Sequence, residues 1–261
     1  MPRSGKARIT SIAEDLRMAG DRAKIQTQAQ KKNYAEILSR CLARHIANAL
    51  RSSFLGILPD ASGKGQESRV RSSKGFKKLD VNYSTVELGL GLGVSIKTIN
   101  FRDATTKRYT KNYTRVDGEF RAEASDYHER QPYAVMIGVV FLPVDSCDDG
   151  NKRTPSSFGQ AVQIFRFRSN RQSPKDPAML FERVFLGLYE IDEKKFGEVV
   201  FFDVMSLPAR SGRPKDTISY DEFIKAIVDT YDGRNSPPFE WADADPEKVT
   251  TPLIEEEEEE D

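Results

Sequence analysis

Between residues 34 and 50, Tyr34, Ile37, Leu38, Cys41, Leu42, His45, Ile46, Ala49 and Leu50 recur at three- and four-residue steps. That period lays one apolar stripe along an α-helix. His45 falls within the stripe and reads as a packed histidine rather than a ligand. Residues 10–32, rich in Ala, Gln and charge, predict a polar helix that Gly20 interrupts. Residues 59–74 carry Gly, Ser, Lys and Arg without a period and predict a mobile loop. Strand character follows over 76–83 and 92–101. Alternation places Asp80 and Asn82 on one face of the first strand, and Ser95, Lys97 and Ile99 on one face of the second, so both sets can point into a common cleft.

Residues 102–115 form a basic, tyrosine-bearing connection. The next segment, 117–130, predicts a helix with Phe120, Ala124 and Tyr127 on one side and Glu119, Glu123 and Asp126 on another, ended by Pro132. The continuous apolar run 133–144 predicts a strand buried on both faces of a sheet. Further strands are expected at 161–168, 184–191 and 198–205, and a last helix near Ser219, which forms a capping box with Glu222. The fold class is therefore α/β: a central mixed sheet flanked by helices, extended by C-terminal strands and a helix. The expected organisation is a polar helical segment (1–32), one α/β domain (33–232) and a Pro-rich, then acidic, disordered tail (233–261).

Charge alters this picture locally. The chain has 40 Lys/Arg and 40 Asp/Glu, and residues 255–261 are all acidic. Residues 62–121 hold thirteen Lys/Arg against six Asp/Glu, a local surplus of the kind that marks a nucleic-acid surface. The acidic tail reads as a solubilising end, or as a polyanion that competes with DNA for the basic face or docks on a partner. Two cysteines and two histidines support neither a disulfide framework nor a structural zinc site. The longest apolar run is too short to span a bilayer. These features predict a cytoplasmic protein with no membrane partner.

The chemistry concentrates at Asp80 and Ser95-Ile96-Lys97. Phosphodiester hydrolysis uses a carboxylate to hold a divalent metal and an amine near the attacking water. The glycines of Gly89-Leu90-Gly91-Leu92-Gly93 lead into a strand, not a helix, and lack the spacing of a nucleotide loop. They predict a backbone that DNA or another chain approaches closely. Lys107, Arg108, Tyr109, Lys111, Asn112, Tyr113 and Arg115 mix cations with aromatics, a combination suited to phosphate contact and base stacking. Lys107, Arg108, Lys111 and Arg115 are the expected nucleic-acid contacts.

The order helix, strand with Asp80, strand with Lys97, helix, buried strand resembles the restriction-endonuclease-like, or PD-(D/E)xK, nuclease superfamily over roughly residues 33–143. In that family a strand ends in a metal-binding Asp, and the next carries an acid, one intervening residue and a lysine. The resemblance implies that Asp80 binds metal, that Lys97 is the lysine, and that Ser95 stands where the usual acid would be. Serine cannot supply a second negative charge to a hard cation, and members of the family relocate that acid. Glu87, Glu36 and Glu123 are the candidates, the last set four residues before Tyr127. The implied activity is Mg²⁺- or Mn²⁺-dependent endonuclease cleavage of DNA in prokaryotic restriction or anti-phage defence, by a homodimer, a larger assembly or with a partner subunit. The alternative is a catalytically inactive nuclease fold serving as a DNA-binding or adaptor subunit.

Overall fold

A computed structural model describes residues 11–237; the acidic tail and the first ten residues lie outside that range. Helix α1 (Ala13–Ala19) stops at Gly20, whose φ of 120° lies outside the helical range. It is therefore a short helix, not one polar helix over 10–32. Its Leu16 and Ala19, with Ile12 just before it, join the same core as the next helix. Helix α2 (Gln28–Leu50) starts at a Thr27–Gln30 capping box, and its predicted stripe is the face it buries. His45 on that helix pairs with buried Asp15 at 2.9 Å.

The expected loop at 59–74 contains strand β1 (Ser68–Ser72), which forms an antiparallel hairpin with β2 (Gly75–Leu79). The expected single strand over 76–83 is broken: β2 ends at Leu79, Asp80 turns the chain, and β3 (Val81–Thr85) enters a different sheet. Strand β4 (Gly89–Thr98) follows β3 and pairs with it antiparallel. Helix α3 (Tyr113–Arg130) leads to β5 (Val135–Pro143), every residue of which is buried. The expected strand at 161–168 is a helix, α4 (Ser157–Phe165), continued by a 3₁₀ turn. Phe158, Ala161, Val162 and Phe165 are its buried positions; their three- and four-residue steps are helical, and Ser156 caps the first turn through the Gly159 N–H at 3.1 Å. Strands β6 (Arg183–Tyr189) and β7 (Val199–Asp203) and helix α5 (Tyr220–Arg234) follow among the described residues as expected, with the Ser219–Glu222 box in place.

The five-stranded sheet runs β3-β4-β5-β6-β7. Its centre is parallel, β4 to β5 to β6, and both edges are antiparallel. The crossovers α3 and α4 pack on one face of the sheet, with Phe120, Tyr127, Phe158 and Phe165 in that core. Helices α1, α2 and α5 cover the other face. The fold is thus a mixed α/β sheet between two helical layers, as the pattern predicts. Cys41, on α2, and Cys147, in the core beneath α3 and α4, are both free and buried; burial pushes the Cys147 thiol up to about 12. Among the described residues, no helix is long and apolar enough to cross a membrane.

Candidate functional site

The site begins where β3 stops pairing. Val81 opposite Val94 is the last rung of the β3–β4 ladder. One step further on, the Ile96 N–H donates instead to Asp80 Oδ2 at 2.7 Å. A backbone donor left without a strand partner is costly to bury, so the turn at Asp80 supplies a carboxylate in place of a carbonyl. On the α3-facing side of β4, Ser95 and Lys97 point outward from the sheet, while Val94 and Ile96 fill the core on the α2 side.

Helix α3 brings Glu123 over this surface. The Ser95 hydroxyl donates to Glu123 Oε2, and Lys97 Nζ donates to Oε1 at 2.6 Å. Glu119, one turn earlier, lies 3.8 Å from the same amine. Asp80, Ser95, Lys97, Glu123, Glu67 and Lys78 line one cavity of about 200 Å³. Of Glu87, Glu36 and Glu123, the last is thus at the cavity, brought there by the helix. The other two lie elsewhere: Glu87 is exposed in the turn between β3 and β4, and Glu36 is on the solvent side of α2, 3.6 Å from Lys32. Neither lines the cavity.

Electrostatics follow from this packing. Burial raises the Asp80 carboxyl to about 6; the Ile96 hydrogen bond and the Lys97 charge oppose the rise, and Glu123 and Glu67 add to it. Burial alone would lower the pKa of the Lys97 amine, but Glu123, by charge and hydrogen bond, together with Asp80 and Glu119, outweighs it and leaves the amine raised. Lys97 is therefore a held cation, not a proton acceptor, near neutral pH. The Tyr127 hydroxyl donates to the Lys78 carbonyl at 3.2 Å and so fixes the end of β2 from which Asp80 emerges. Burial raises its phenol well above the usual range, with Glu123 and Asp80 adding to the effect. Glu67 pairs with Lys78 at 2.9 Å, which lowers its carboxyl. Glu67 has no periodic or motif signal in the sequence; only the fold brings it to the cavity.

In the basic connection the tyrosines and the cations are placed differently from one another. Tyr109 and Tyr113 are each 1% exposed and cannot stack on bases. Lys111 pairs with Asp103 at 2.9 Å and Arg115 with Glu119 at 2.5 Å. Arg108 donates to the Pro155 carbonyl at 2.5 Å, and Lys107 occupies a left-handed turn at φ 57°. None of the four lines the cavity. The glycine-rich strand also serves its own core: a Cβ at Gly93 would stand 2.7 Å from both Leu79 Cδ2 and Met136 Sδ. At Gly93 the close approach is made by side chains of the same chain. His128 is buried, with Nδ1 2.9 Å from the Ala178 carbonyl, away from the cavity.

Among the described residues, no three His, Cys, Asp or Glu side chains gather as a metal cage. A magnesium site seldom needs one: one or two carboxylates, with waters and substrate phosphates completing the shell, are the usual protein contribution. Asp80 and Glu123 match that hard-oxygen donor set, and the raised Asp80 carboxyl is one that a bound cation would relieve. In comparisons with protein-family models, curated proteins and solved structures, nothing matches the chain.

Proposed function

We propose that the chain is a divalent-metal-dependent endonuclease acting on DNA, with its site at Asp80, Glu123 and Lys97. The observation that carries this reading is Glu123 bonded at once to Ser95 and Lys97, which puts a second carboxylate beside Asp80 where the strand itself offers only a hydroxyl. Asp80 and Glu123 would hold Mg²⁺ or Mn²⁺; each oxygen of Glu123 keeps acceptor capacity beyond the bond it already accepts. The bound ion supplies Lewis-acid polarisation of the phosphate and a more acidic water. Lys97, kept protonated by its acidic neighbours, orients the attacking water or offsets negative charge growing on the phosphate in the transition state. Ser95 fixes the Glu123 carboxylate. One cleft per chain acts on one strand, so double-strand cleavage takes a homodimer or a larger assembly. A restriction or anti-phage setting follows from the family resemblance alone.

The test is conversion of supercoiled plasmid to open circle by the purified chain with Mg²⁺ or Mn²⁺. Cleavage should stop with EDTA. Lys97→Ala and Glu123→Gln should each reduce it at least a hundredfold while the far-ultraviolet circular dichroism stays unchanged. A second reading, a nuclease fold acting only as a DNA-binding adaptor, is favoured by Ser95 and by the engagement of both Glu123 oxygens. Plasmid left intact under both metals by a chain that still binds DNA would select it.

A further inference from the structure

The β1–β2 hairpin carries five cations, Arg69, Arg71, Lys74, Lys77 and Lys78, and no acid within its strands and turn. Its two faces use them differently. On the inner face, Val70 and Leu79 enter the core beneath α3, and Lys74 and Lys77 both pair with Asp126, which is fully buried. These contacts dock the hairpin. On the outer face, the register sets Arg69 directly opposite Lys78 and Arg71 directly opposite Phe76.

That outer arrangement works against the hairpin's own stability. Like charges facing each other across an antiparallel pair repel, and Phe76 is 50% exposed on a two-stranded ribbon that has little burial to spare. Glu67 offsets part of the charge through Lys78. The Arg71 guanidinium lies 5.3 Å from the Phe76 ring centroid, so cation and aromatic form one platform. Lys78 also lines the cavity with Asp80 and Lys97, and Phe76 stands two residues further along the strand, roughly 7 Å away. A partner that relieves both costs must bring negative charge and a flat ring at short, regular spacing. A nucleic-acid strand brings both.

We propose that the outer face of this hairpin is the nucleic-acid contact surface: Arg69, Arg71 and Lys78 hold backbone phosphates leading into the cleft, and Phe76 stacks on an unpaired base. The inference rests on the nuclease reading only in placing a scissile phosphate in the cavity; binding is measured apart from cleavage. The test is fluorescence anisotropy with a fluorescein-labelled single strand and its duplex, in Ca²⁺, with the oligonucleotide checked intact on a gel. Arg69→Glu/Arg71→Glu should weaken binding to both at least tenfold and reduce the slope of log affinity against log salt by about 1.5. Phe76→Ala should weaken the single strand about fivefold or more and the duplex less than twofold. Lys107→Glu/Lys111→Glu, in the basic connection, should change binding less than threefold.

Three results would overturn the proposal: no binding by the unaltered chain, a hairpin double variant within twofold of it while its melting curve is unchanged, or an equal or larger loss from the basic connection. A Phe76→Ala loss as large on the duplex as on the single strand would overturn the stacking role. The nuclease reading fails on a different measurement, plasmid left intact by the unaltered chain, which leaves these affinities as they are.

Discussion

On folding, the carboxyl group of Asp80 loses water and receives a hydrogen bond from the Ile96 amide. Burial wins, and its pKa stands near 6 against an ordinary 3.8. The linkage sign follows. Between these values the folded chain holds a proton that the unfolded chain has released, so stability falls as pH rises through that window and stays lower above it. Asp80→Asn keeps an acceptor for Ile96 and removes the charge. It should be more stable than the unaltered chain by about 3 kcal/mol at pH 8, in metal-free urea titrations, with the difference gone below about pH 3. The same variant should lose cleavage, since a carboxamide is a poor ligand for a hard cation. Added Mg²⁺ should raise the melting temperature of the unaltered chain and not that of the variant. Lys97 was legible in the sequence because alternation fixes which way strand residues point; Asp80 reaches the same cavity from the bend between β2 and β3, where no strand period applies. Glu67 was not: an acid beyond the end of a strand carries no period, and only the hairpin's fold-back brings it to the cavity.

At the level of elements, α3 organises the site. Its Phe120 and Tyr127 bind it to the sheet, Glu119 and Glu123 reach Lys97, and Asp126 anchors the hairpin. The helical period revealed acids on one side of this helix. It did not reveal that this side crosses β4 at Ser95, because crossing position is set by packing between distant segments. The break at Asp80 was hidden for a related reason: apolar and polar residues alternate without interruption across it, from Lys78 to Tyr83, and what ends the strand is an amide on a neighbouring one. Helix α4 was misread because a short apolar run fits either period, with the capping Ser156 as the signal that decides it. A second buried junction joins the helical layers across the lower end of the sheet. Glu182 accepts from Arg171 at 3.0 Å and from the Met136 amide at 2.7 Å. Arg234 of α5 and His128 of α3 lie 3.5 and 3.4 Å from the same carboxylate. Glu182→Ala would leave two guanidinium groups short of their counter-charge and should cost about 3–5 kcal/mol in chemical denaturation, with no direct effect on the Asp80 cavity.

For the molecule as a whole, the pattern of apolar positions was enough to specify a sheet covered on both sides, because β5 is apolar throughout and the helices flanking it each carry one stripe. The partners of Arg108, Lys111 and Arg115 in the basic connection were not legible, since a run of cations looks the same whether its partners are solvent, acids or phosphates. Of the described fold, two large cores separated by one sheet remain, and each layer contains a single thiol with no neighbour to oxidise against. Cys41 and Cys147 are both shielded from solvent, and burial holds both thiols in their unreactive form. Maleimide labelling therefore becomes a pair of clocks, one ticking only when the α2 layer lifts and the other only when the α3–α4 layer does. If the chain opens all at once, mass spectrometry will find the two sites modified at one common rate; a faster Cys41 would mean that the layer opposite the candidate site peels away first.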